Sequence, residues 1–230
     1  MDRQHLRRTD LELLKKYNFE FKETWEVVDH FEKLVADFFG APYAVATDCC
    51  THGVELSVIV SDPVESVKIP RWTYMSIPMM FDKLKIPYTL TSNQWQDYYQ
   101  ITPLNVYDAA VAWEANSYIP GSLMCLSFQF KKHLPIGRGG MILLDDKDKY
   151  ERLQRLVRDG RNRKLLAFND DIEEFGYHYY MTPEDAARGI DLFYQVKDSP
   201  RLEGKLSSPR GFQDYKDLLE IPYFKNKGEK

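Results

Sequence analysis

The chain has 230 residues with 43% apolar and 29% charged side chains and a formal net charge of -4. That is the composition of an ordinary globular protein with one sizeable domain, or one large and one small. The charge gives no basic surface for nucleic acid, and no apolar run is long enough to span a bilayer. Three cysteines (Cys49, Cys50, Cys125), two of them adjacent, do not make a disulfide framework and fit a reducing compartment. The polar start Met1-Asp2-Arg3-Gln4-His5 lacks the apolar core of a signal peptide, so the expected location is the cytoplasm.

Residues 1–22 read as a charged arm or short helix carrying Leu11, Leu13 and Leu14. Trp25, Val28, Phe31, Val35 and Phe38 recur at helical spacing over 23–39, and Gly40 stands where a C-cap glycine belongs. Tyr43–Thr47 reads as a short strand, Asp48–Thr51 as a turn and His52–Val60 as a helix, with Thr51 its expected N-cap. Val67–Pro70 is a strand, Arg71–Tyr74 a loop and Met75–Leu84 a helix. Ile86–Leu90 and Leu104–Asp108 are strands, the second ending on an acid. A buried strand over 122–126 leads into Ser127-Phe128-Gln129-Phe130-Lys131-Lys132-His133. The glycine cluster Gly137-Arg138-Gly139-Gly140 follows, then a second apolar run, Met141–Leu144. Residues 146–159 form a charged amphipathic helix closed by Gly160, and 161–174 a polar loop. Thr182 caps a helix that Pro183 starts. The tail from Lys197 carries one more short helix near 215–219. Strands alternating with helices predict an α/β domain with a mainly parallel sheet flanked by helices.

In such sheets ligands gather beyond the carboxyl ends of the strands, where Thr51, Asp108 and Ser127 fall. The turn before the helix at 52 offers free backbone N–H groups and a positive dipole end, which suits a phosphate; an ordinary N-cap gives the same signature. A carboxylate at Asp108 can hold a pyridine nitrogen protonated, although a turn aspartate needs no such partner. Trp72 and Tyr74 offer faces for a flat heterocycle, or simple core packing. Lys132, near glycines between two strands, can be a Schiff-base lysine or part of a solvated basic turn. Arginine at 71, 138 and 163 reads as surface charge.

The order of these pieces resembles the PLP-dependent sugar aminotransferases, the DegT/DnrJ group of fold type I. The residues that carry the resemblance are Asp108-Ala109-Ala110, Ser127-Phe128 with Lys132 five residues on, and the turn 137–140. Gly176-Tyr177-His178-Tyr179-Tyr180-Met181-Thr182 leads to Ala186-Ala187-Arg188-Gly189, and Cys50-Thr51-His52-Gly53 matches the phosphate turn. The likeness covers about residues 30–195. It implies a fold type I PLP-transferase large domain over 23–195, with the C-terminal small domain largely missing and 196–230 its remnant. It implies pyridoxal 5'-phosphate as cofactor, with Lys132 as the catalytic amine and Asp108 bonded to the ring nitrogen. Tyr74 is then the stacking aromatic; Cys50, Thr51 and Ser127 hold the phosphate. His178 reaches the phosphate of a second subunit, so a homodimer with shared active sites is expected. No metal site is expected.

The implied reaction moves an amino group from an amino acid such as glutamate to a keto sugar, nucleotide-linked. Departures from the pattern stand at Val111, where glutamine or histidine is usual, and at Cys50, His133, His178 and Tyr180. They leave two alternatives: another PLP-dependent reaction (lyase, dehydratase or decarboxylase) on a non-sugar amine, or a non-catalytic relative acting as a partner subunit.

Overall fold

The structure is a computed structural model; it describes residues 9–21, 23, 25–163, 165, 167–197 and 211–229. The start of the arm (1–8) and the tail stretch 198–210 lie outside the described residues.

Six α-helices are described: α1 Thr9–Leu14, α2 Glu26–Phe39, α3 Cys50–Ile59, α4 Ser76–Leu84, α5 Lys147–Leu156 and α6 Pro183–Val196. The strands are β1 Tyr43–Thr47, β2 Val67–Pro70, β3 Tyr88–Thr91, β4 Tyr99–Ile101, β5 Val106–Asp108, β6 Leu123–Ser127 and β7 Gly140–Leu144. The helix signals act as expected. Gly40 closes α2 in the left-handed region at φ 77°, where a side chain is strained. Thr182 accepts a hydrogen bond from the Asp185 N–H, with Pro183 beginning α6. One cap is displaced: Cys49, not Thr51, is the N-cap of α3, so Thr51 lies in the first turn.

The sheet corrects the parallel expectation. Five strands run in the order β1-β7-β6-β5-β4. Only β5–β6 is a parallel pair; β1–β7, β6–β7 and β4–β5 are antiparallel. Between β6 and β7 the chain returns through residues 128–139, which carry no crossover helix, so this pair is antiparallel. The Phe128 N–H donates to the Gly139 carbonyl at 2.9 Å across this turn. A parallel pair, β2–β3, forms its own small sheet. It is joined to the end of β4 by two backbone bonds between Lys68 and Thr102, 2.8 and 3.1 Å long.

Successive side chains of a strand point to opposite faces, and two cores result. Val45, Val106, Cys125 and Ile142 point to the side covered by α3 and α4. Ala44, Ala46, Met124, Leu126, Met141 and Leu143 point to the side covered by α2 and α6. Phe31, Phe39, Phe81 and Phe128 are fully buried, each stabilising the fold by about 1.5–3 kcal/mol relative to exposure. The arm packs on α6 through Leu14, and the Tyr17 hydroxyl donates to Asp191 Oδ1 at 2.6 Å. Among the described residues no helix is long and apolar enough to cross a membrane.

Candidate active site

The α3 N-terminus, the ends of β5 and β6, and the start of β7 meet at one edge of the sheet. Gly140 makes this possible: a Cβ there would lie 2.5 Å from the backbone of Cys49 and Cys50. Gly139, at φ 147°, would press a Cβ to 2.8 Å from Met181. The glycine cluster therefore lets β7 start directly against the helix entry.

These elements enclose a cavity of about 520 Å³ lined by Cys49, Cys50, Thr51, Tyr74, Asp108, Val111, Ser127, Lys131, Lys132 and Arg138, among others. Its volume suits a small molecule or cofactor. Six of the seven expected site residues line it together: Lys132, Asp108, Cys50, Thr51, Tyr74 and Ser127. The seventh, His178, does not. It is exposed, sits beside Asp159 with Nδ1 3.1 Å from Oδ2, and packs against Tyr180. Trp72 is also absent from the lining; it packs against Phe212 with ring centroids 5.5 Å apart.

Asp108 is buried at the end of β5. Its Oδ1 accepts from the Ala110 N–H at 3.0 Å and its Oδ2 from the Tyr99 hydroxyl at 2.8 Å. Tyr99 is its cross-strand partner on β4 and is held in turn by Thr73, 2.5 Å away. Burial pushes the Asp108 carboxyl up; the Tyr99 and Ala110 bonds and the nearby Lys132 ammonium pull against that rise. Each oxygen keeps acceptor capacity beyond the bond it makes. A cationic ring N–H is the kind of partner such a buried carboxylate lacks.

At the α3 entry the same cavity has groups that suit an anion. The first turn of α3 presents its backbone N–H groups there. The Thr51 and Ser76 hydroxyls are 2.6 Å apart, and Ser127, Arg138 and Gly139 complete the lining. Arg138 is anchored by Asp48, Nη2 to Oδ2 at 2.6 Å. The Asp48 Oδ1 lies 2.6 Å from His52 Nδ1. The His52 ring stacks on Tyr179 at 3.6 Å and 8°. Half-burial lowers the affinity of His52 for its proton, but bonding to Asp48 and Cys49 outweighs it and lifts the pKa to about 9. Ligand atoms of Asp48, Cys49 and His52 lie within 4.8 Å of one another. The Asp48 carboxylate is already committed to Arg138 and His52, so the group acts as a hydrogen-bonded support for the turn. Cys50 is buried and bonds the Cys125 carbonyl, Sγ to O 3.6 Å; burial pushes its thiol well up.

Pyridoxal phosphate fits this donor set: an amine, a buried carboxylate, an exposed aromatic at Tyr74 and an anion end occur in one cavity of suitable size. The sequence did not single out Tyr99, Thr73, Ser76, Asp214 or Tyr215. No short motif marks them, because each reaches the site by tertiary packing. Arg163, expected at the surface, is instead nearly buried between Asp29 and Glu32, with Nη2–oxygen distances of 2.6 and 2.7 Å. A second cleft of about 610 Å³ lies beside this cluster, between α2 and α5; its acids and bases are largely paired with each other.

Fold and site together define an α/β protein of the type I aminotransferase fold. Residues 118–199 match the model of the DegT/DnrJ/EryC1/StrS aminotransferase family. The fold is similar to AtS13 from Actinomadura melliaura (TM-score 0.70, 19% identity, 85% of this chain and 67% of that chain covered). It is similar to the sugar aminotransferase CalS13 from Micromonospora echinospora (TM-score 0.68, 18% identity, 84% and 66% covered). It is also similar to a GDP-4-keto-6-deoxymannose-3-dehydratase, solved with bound GDP-perosamine (TM-score 0.61, 13% identity, 82% and 65% covered). The chain thus spans about two thirds of the length of these solved proteins. No curated protein sequence matches it.

Proposed function

We propose that this chain binds pyridoxal phosphate and transfers an amino group from an amino acid, glutamate in the first instance, to a nucleotide-linked keto sugar. The observation that carries this reading is that Lys132 and Asp108 line one cavity with Thr51 and Ser127, at the entry to α3. The bound cofactor supplies an electron sink that lets bonds at an amino-bearing carbon break. Lys132 would hold the cofactor through its amine, and that amine would move the proton at the amino-bearing carbon of the donor. Asp108 keeps the ring nitrogen protonated, with Tyr99 fixing the carboxylate. The first turn of α3, with Thr51 and Ser127, holds the phosphate, and Tyr74 covers the ring. His178, exposed and outside the cavity of its own chain, serves the phosphate of a second copy in a homodimer. Three free thiols suit a reducing, cytoplasmic setting.

The test is to incubate the PLP-loaded protein with glutamate and GDP-4-keto-6-deoxymannose or related nucleotide keto sugars, and to measure 2-oxoglutarate and the aminated sugar. Both products appearing together support transamination. Bound PLP with neither product, and with a non-sugar amine consumed instead, points to the second reading, a lyase, dehydratase or decarboxylase. That reading is favoured by Val111, an apolar side chain on the cavity wall at the position where the resemblance leads one to expect a hydrogen-bonding group. Failure to bind PLP at all leaves the third reading, a non-catalytic partner subunit.

A further inference from the structure

The C-terminal stretch 211–229 folds back over the cavity. The Phe212 N–H donates to the Trp95 carbonyl at 3.1 Å, and Gly211 and Gln96 form an antiparallel bridge. A side chain at Gly211 would collide with the Trp95 carbonyl. Tyr215 packs on Trp95 at 5.5 Å. The Leu218 N–H donates to the Arg71 carbonyl at 3.0 Å, and Asp217 pairs with Arg71 Nε at 3.2 Å. Leu218 and Phe224 are buried, and the Leu90 N–H donates to the Lys227 carbonyl at 2.7 Å. The stretch is therefore a strap tied at several points. It places Asp214 and Tyr215 in the cavity lining with Cys49, Lys131, Lys132 and Arg138.

Lys131, Lys132 and Arg138, the last paired with Asp48, line this cavity with Asp108, and the exposed Asp214, whose Oδ2 accepts from the Gly211 N–H at 3.3 Å, is the carboxylate the strap adds to it. We propose that Asp214 is a specificity-determining residue: it disfavours negative charge on the part of a ligand that reaches the strap, and favours hydroxyl or amine groups whose hydrogens its oxygens accept. The substrate side of this inference rests on the proposed transaminase reading; the electrostatic side does not. A unit charge at a wet mouth, on the order of two helical turns from the reacting thiol, changes the relative entry of an anion by about twofold at low salt.

Cys49 supplies the probe. It is partly exposed and lines this cavity, while Cys50 and Cys125 are buried. The full chain is alkylated at low ionic strength with iodoacetamide, which is neutral, and with iodoacetate, an anion. The ratio of the two rates cancels any change in the thiol itself. Asp214→Asn is expected to raise the iodoacetate-to-iodoacetamide ratio about twofold and Asp214→Lys further, with both effects fading in high salt. In a second arm, the PLP-loaded protein converts glutamate and glutamine separately, and Asp214→Asn is expected to raise the glutamate-to-glutamine ratio by a similar factor. Two variants at one exposed position keep the test alive if either misfolds. An unchanged alkylation ratio overturns the inference. So does a changed alkylation ratio with an unchanged donor ratio, which puts Asp214 at the mouth without a role in selection. If no PLP binds, the transaminase reading falls and with it the substrate side, while the alkylation ratio still decides the electrostatic side.

Discussion

The Tyr99 hydroxyl meets Asp108 Oδ2 at 2.8 Å, directly across the antiparallel pair β4–β5. A three-residue strand thus fixes the carboxylate at the centre of the proposed site. Tyr99→Phe removes a bond that favours the charged carboxylate and leaves the Thr73 hydroxyl short of a buried partner. It is expected to cost about 1–2 kcal/mol in urea unfolding and to weaken PLP about tenfold, as one lost charge-assisted bond does. Unchanged affinity in a PLP titration would show that Tyr99 supports the strand alone.

Asp108 itself carries a stability signature. Its folded pKa is raised, first by burial, so the fold binds that proton more tightly than the unfolded chain does. The ligand-free wild type therefore gains stability relative to Asp108→Asn as the pH falls from neutral toward the unfolded carboxylate range, and loses it as the pH rises. Urea midpoints at pH 5 and pH 7.5 check the sign. The same substitution should cut turnover by about 100-fold or more, because a neutral amide cannot hold a protonated ring nitrogen.

His52 gives the opposite test at the anion end. Its pKa is lifted to about 9, against about 6.5 unfolded. The stabilisation is complete below pH 6.5 and is lost as the pH rises through 9. Because the ring is partly exposed, we expect about 1–2 kcal/mol rather than the full linkage value. A His52→Gln variant should be less stable than wild type at pH 6, with the gap closing by pH 9.5. A gap constant with pH would assign His52 a packing role on Tyr179 only.

Glu32 is buried, accepts the Ala46 N–H at 2.8 Å and faces Arg163. Burial raises its pKa; Arg163 and the Ala46 N–H pull it down. Arg163→Met leaves that carboxylate without its cation, at a cost of about 3–5 kcal/mol. The double variant Glu32→Gln with Arg163→Met should recover a large part of the loss. A single-variant cost below about 1 kcal/mol would contradict burial of this pair.

Much of this was legible from residue order. The caps Gly40 and Thr182 and the apolar runs at 43–47, 122–126 and 141–144 mark their own elements to within a residue. Lys132, Asp108, Thr51 and Ser127 fall at element ends, where a sheet gathers ligands. Strand direction was not legible: periodicity states which face of a strand is buried and says nothing about which way its neighbour runs. Hence the sheet expected to be mainly parallel is mixed, with the return to β7 turned by Gly139 and Gly140. β4 is too short to show a pattern. The role of 211–217 depends on long-range bonds to Trp95 and Arg71, which leave no local trace. Arg163 reads as surface charge because its partners, Asp29 and Glu32, are distant in sequence.

The most direct measurement is to incubate the protein with PLP, reduce it with borohydride and map the labelled peptide by mass spectrometry. The account predicts one phosphopyridoxyl group on Lys132, lost in Lys132→Ala and much reduced in Asp108→Asn. Label spread over surface lysines, or seated on Lys131 with Lys132 unmodified, would contradict it.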